Sequence, residues 1–106
     1  MRLLSKVFVV VVLSLATLCS ACSREPVKGV IITGQNNHNW PVSHQALKLI
    51  LENSGLFSLD VAVSPAAGED MSGFNVDFSK YKLVVLDYNG DPWPESMNKA
   101  FLDFVR

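Results

Sequence analysis

Two polar stretches concentrate the side chains able to do chemistry. The first runs from Gly34 to Trp40 (Gly-Gln-Asn-Asn-His-Asn-Trp) and the second from Asp87 to Trp93 (Asp-Tyr-Asn-Gly-Asp-Pro-Trp). Imidazole exchanges protons near neutral pH, which makes His38 the first candidate for acid–base work. Asp91, with Asp87, supplies carboxylates that can join it as ligands or as a general base. Each stretch closes on a tryptophan, whose apolar face stacks on the C–H face of a sugar ring. The amides of Asn36 and Asn89 and the hydroxyl of Tyr88 suit ligand hydroxyl groups, and Trp40 and Trp93 would shape the pocket. A sugar or other polyol is the ligand class that such a set fits. The plainer alternative is that Asn and Gly make turns, the tryptophans seal helix starts and Asp91 caps a helix beginning near Pro94.

Other chemistries find less support. The spacing of His38, Asp87 and Asp91 matches no compact metal motif, so we assign no metal site and name no cofactor. No second or third glycine follows Gly34, which argues against a dinucleotide fingerprint. Ser43, Ser54, Ser64, Ser72, Ser79 and Ser96 lie in no nucleophile elbow. His44 falls in the first turn of a helix and reads as a surface or supporting residue.

The elements that would position these loops follow from apolar patterning. Lys28 to Thr33 is a short continuous apolar run, as in a strand buried on both faces. Pro41 then opens a helix, with Val42, Ala46, Leu49 and Ile50 near one face, Leu47 and Leu51 widening it and Gly55 just past its end. Phe57 to Val63 reads as a second strand and Ser64 to Asn75 as a loop. Asp77 to Lys80 makes a single turn, and Leu83 to Leu86 a third strand. Pro94 opens another helix, whose Met97, Phe101, Phe104 and Val105 share one face. This order predicts a mainly parallel α/β sheet, with ligands beyond the carboxyl ends of its strands, where both polar loops fall. Three strands and two helices leave much apolar surface uncovered, and the sequence stops inside a helical pattern. We therefore expect a truncated chain, or one that a partner completes.

The first residues carry the most diagnostic pattern. Arg2 and Lys6 precede the run Val7 to Ala16, in which nine of ten residues are apolar. Cys19-Ser20-Ala21-Cys22 follows, with small residues before a cysteine. This resembles the bacterial lipobox, apart from Cys19 where an aliphatic residue is usual. Residues 1–21 are thus expected to be a lipoprotein signal peptide, with Cys22 the lipidation site and residues 22–26 a tether to a domain over 27–106. Cleavage after Ala21 by the ordinary signal peptidase and an uncleaved anchor are the alternatives. Ser23, rather than Asp, follows the cysteine, which points to the outer membrane of a Gram-negative bacterium, facing the periplasm or the cell surface. Both cysteines lie in this segment, so the mature domain folds without a disulfide. Nine Lys/Arg stand against ten Asp/Glu, and cleavage leaves seven against ten. That mild acidity gives no electrostatic reason to expect nucleic-acid binding.

The stretches Ile32 to Trp40, Leu56 to Pro65 and Val84 to Pro94 together resemble the ThuA-like family, named for trehalose utilisation. The resemblance implies a flavodoxin-like parallel sheet similar to class I glutamine amidotransferases, incomplete here, without the amidotransferase cysteine. It also implies sugar utilisation, carried out at the cell envelope by an exported member. His38, Trp40, Asn89 and Asp91 match the family's loops, and a His-bearing elbow would lie beyond Arg106. Any carbohydrate activity would then belong to the full-length protein. The other two functions open to such loops are a non-catalytic carbohydrate-binding lipoprotein and an amidotransferase-like scaffold for protein assembly. Oligomeric state is not readable.

Overall fold

A computed structural model of the chain describes residues 23–106. The expected signal peptide and lipidation site, residues 1–21 and Cys22, lie outside the described residues. Three strands form one parallel sheet: β1 (Val27–Thr33), β2 (Phe57–Val63) and β3 (Leu83–Leu86). Their order is β2-β1-β3. Val27 pairs with Phe57 and Thr33 with Val63, while Gly29 pairs with Leu83 and Ile32 with Leu86. The expected flavodoxin-like start of an α/β sheet is present, because the chain moves to one side of β1 and then to the other.

β1 reads as a continuous apolar run because both its faces are covered. Gly29 to Thr33 are buried. Val30 and Ile32 enter the main core with Phe74, Val76, Phe78 and Met97. Ile31 points to the opposite face and is fully buried. The core on the Val30 side is closed by helix α2 (Glu95–Phe104) and by a single 3-10 turn at Phe78–Lys80. Asp77 starts that turn, its side chain accepting from the Ser79 amide at 3.2 Å. Helix α2 buries Met97 and partly buries Phe101 and Phe104, three of the four residues that its periodicity predicted. Val105, the fourth, is exposed.

Helix α1 (Trp40–Asn53) packs over β1 and β2 on the other side. Its start and its end near Gly55 are where the sequence put them, but its buried face is not. Val42, Leu49 and Ile50 are 60%, 62% and 67% exposed. Leu47 and Leu51, which widen the predicted face, are half-buried, and they share that side with Ser43, His44 and Lys48, nearly opposite Val42, Leu49 and Ile50. Polar contacts fix this rotation. Ser43 Oγ donates to Asp87 at 2.8 Å, the Lys48 ammonium donates to the Leu59 carbonyl, and Glu52 accepts from the Leu59 amide at 2.9 Å. Among the described residues, no helix is long and apolar enough to cross a membrane.

Candidate functional site

The carboxyl ends of β1 and β3 lie side by side, and the two polar loops leave the sheet there. Asp87 stands at the first position after β3 and is 5% exposed. Its Oδ2 accepts from Thr33 Oγ1 at 3.2 Å and from Ser43 Oγ at 2.8 Å. Its Oδ1 accepts from Asn36 Nδ2 at 3.4 Å and faces His38 Nε2 at 3.1 Å. A buried carboxylate must be satisfied by donors, and four side chains from β1, the first loop and α1 supply them. The tautomer that donates Nε2–H to the Asp87 carboxylate leaves Nδ1 as the acceptor, on a side chain that is 53% exposed. An imidazole oriented this way by a buried carboxylate is equipped to take a proton.

Gln35 ties the loops together. It is buried and uses both ends of its amide. Nε2 donates to the Pro65 carbonyl at 2.9 Å and reaches Asp91 Oδ2 at 3.5 Å, while Oε1 accepts from the Asp91 amide at 2.8 Å. Its own carbonyl accepts from the Asn89 amide at 2.9 Å. Gly90 allows this approach: a Cβ there would lie 2.3 Å from Gln35 Oε1. Gly34, with φ at +122°, lets the chain turn out of β1 against Ser64, whose Oγ would be 2.4 Å from a Cβ.

A cleft of about 450 Å³ opens between these loops, lined by Asn36, Trp40, Asn89 and Asp91 with Gly34, Gln35, Gly90 and the Ala66–Ala67 backbone stretch. Four residues that the sequence nominated therefore share one wall-to-wall space at the place where open α/β sheets bind ligands. Among the described residues no group of three or more His, Cys, Asp and Glu could hold a metal ion. A larger apolar hollow of about 490 Å³ lies between the 3-10 turn and α2, remote from these polar groups.

No family model matches the chain, and no curated protein matches it. A solved structure does. A crystal structure from Parabacteroides merdae, of a protein assigned as ThuA-like, is 64% identical with a TM-score of 0.75. The match covers 76% of this chain and 29% of that protein. The chain belongs to the ThuA-like family.

Within this ThuA-like chain the remaining nominated residues take different places. Asp91 does not meet His38. Its carboxylate accepts from the Gly68 amide at 2.7 Å and holds the loop after β2 in place. Nor does Asp91 cap α2, whose N-cap residue is Pro94 and which has no side-chain cap. The Tyr88 hydroxyl donates to the Asp91 carbonyl at 2.6 Å. Burial, with the Asp91 charge adding to it, pushes that phenol above its ordinary range, so it stays a neutral donor. Trp93 packs between Tyr88, tilted against it, and Phe101, edge to face with it, at centroid distances of 5.7 and 5.6 Å. Its buried indole N–H has no acceptor among the described residues. It borders a second hollow of about 270 Å³ with Tyr88, Gly90, Asp91 and Asn98, rather than the cleft of Trp40. Thr33, Gln35 and Ser43 were missed as site residues. A threonine ending an apolar strand and a serine three residues into a helix gave the only signal for two of them. Asp87, named second to Asp91, is the carboxylate that His38 uses.

Proposed function

We propose that this chain forms the first part of the substrate site of an exported ThuA-like lipoprotein that acts on a sugar or sugar derivative at the cell envelope. The observation that carries this is the His38–Asp87 pair at 3.1 Å, buried on the aspartate side and open on the imidazole side. Such a pair removes a proton from a hydroxyl or an activated C–H of a ligand and returns it later in the reaction. The neighbouring cleft suits a polyol, because Asn36 and Asn89 bring amide groups and Trp40 brings an aromatic face to the same space. The chain spans 29% of the related protein, so further residues are expected to complete the reaction centre.

The test is turnover of a panel of mono- and disaccharides and their oxidised derivatives by the full-length protein. We expect His38→Ala to lower turnover by about 10²–10⁴-fold while the fold is kept. Saturable binding without turnover, lost in Trp40→Ala, would instead establish a non-catalytic carbohydrate-binding lipoprotein. No affinity for any sugar would leave the protein-assembly scaffold.

A further inference from the structure

The cleft occupies one end of the sheet, and the opposite end has a chemistry of its own. There the amino ends of the strands meet the last turn of α1. Val27 is 40% exposed and Leu56 64%. The Val27 amide donates to the Leu56 carbonyl at 2.8 Å, which holds the two side chains at one rim. They border an apolar hollow of about 240 Å³ with Arg24, Glu25, Gly55 and Phe57. Ile50, also exposed, sits three residues from the end of α1 at Asn53, so it lies about one helical turn above this rim. Arg24 and Lys28, both exposed, set two positive charges against Glu25.

We propose that this end of the domain rests on the lipid bilayer, with Val27 and Leu56 seated at the headgroup boundary. The proposal rests on Cys22 being the lipidated residue. Only Ser23, Arg24, Glu25 and Pro26 separate that cysteine from β1, and the five steps from Cys22 to Val27 reach at most about 18 Å. The acyl chains on Cys22 therefore hold the amino edge of the sheet at the membrane surface. The seven residues of β1 extend roughly 23 Å further, which carries the cleft end away from the lipid. Exposed apolar side chains with flanking cations, held at a bilayer, transfer into its boundary, and the cations meet anionic headgroups. The cleft then faces the aqueous side, open to dissolved ligands.

The test uses the full lipidated chain in vesicles of phosphatidylethanolamine and phosphatidylglycerol. Leu56→Cys and Asn37→Cys variants each carry an NBD fluorophore, and the mass of the N-terminus is checked for diacylglycerol. We expect spin-labelled lipid to quench the probe at 56 about threefold more than at 37, with aqueous iodide showing the reverse order. Equal quenching at both positions would show a domain hanging free on its tether; that overturns the docking while leaving the lipoprotein assignment intact. A probe at 56 shielded from both quenchers would mean that protein covers the rim, which also overturns it. An N-terminus without lipid would refute the lipoprotein assignment itself, and the docking with it.

Discussion

At the scale of single residues, Asp87 organises the site. Removing its carboxylate leaves the donors of Thr33 and Ser43 without their acceptor in a buried place. Asp87→Ala is expected to cost about 2–4 kcal/mol in urea denaturation, against about 1 kcal/mol or less for His38→Ala, whose ring is half in water. An equal loss from both would show that the hub is not a folding element. Asp87 was visible in the sequence only as one of two aspartates beside a histidine. Its pre-eminence over Asp91 comes from register: the first residue after β3 lies level with the end of β1 because Ile32 pairs with Leu86. Gln35 was legible only as one polar residue in a polar loop. Its role depends on contacts with Pro65 and Asp91, distant in sequence, and nothing in its neighbours reveals them.

At the scale of elements, strands and helix positions were readable because continuous apolar runs and proline and glycine placements are local signals. The buried face of α1 was not. Apolar periodicity centred the face on Val42, Ala46, Leu49 and Ile50 and gave Leu47 and Leu51 only its edge. But a helix turns whichever side its tertiary contacts require, and of these six only Leu47 and Leu51 are half-buried. Here Ser43, Lys48 and Glu52 decide. Leu49→Ala is therefore expected to change the stability of this chain by less than about 0.5 kcal/mol, while Met97→Ala in α2 costs about 2–5 kcal/mol. Urea midpoints of the two variants check this, and a large effect at Leu49 would mean that the helix is rotated otherwise. The clamp between α1 and β2 also sets a pH dependence. Hydrogen bonds from Lys48, and then from the Leu59 amide, hold Glu52 below the ordinary glutamate range. A carboxylate depressed on folding adds stability that is present at neutral pH and lost as pH falls through its folded-state value. Thermal melts of the parent and Glu52→Gln should differ at pH 7 and converge in strong acid; a constant difference would assign the effect to packing alone.

At the scale of the whole molecule, a three-stranded parallel sheet puts the candidate cleft at one end and the proposed attachment at the other. Cys22→Ser is expected to block signal processing or to release the protein from membranes, read by fractionation and by the mass of the N-terminus. Unchanged membrane retention with an intact leader would sink the lipoprotein assignment. The same topology governs the order in which the molecule comes together. β1 is the central strand, yet it has no local partner: Val27 waits for Phe57, and Gly29 waits for Leu83. Among the described residues no hairpin exists to seed the sheet. Every interstrand bond closes a long loop, so folding is slow relative to helix formation. Until Leu86 has been delivered, the central strand keeps the edge that β3 will cover open, even once β2 has paired with the other. A chain built this way leaves Val30 to Ile32 open to mispairing until the sheet closes, because its earliest strand is the last to be satisfied.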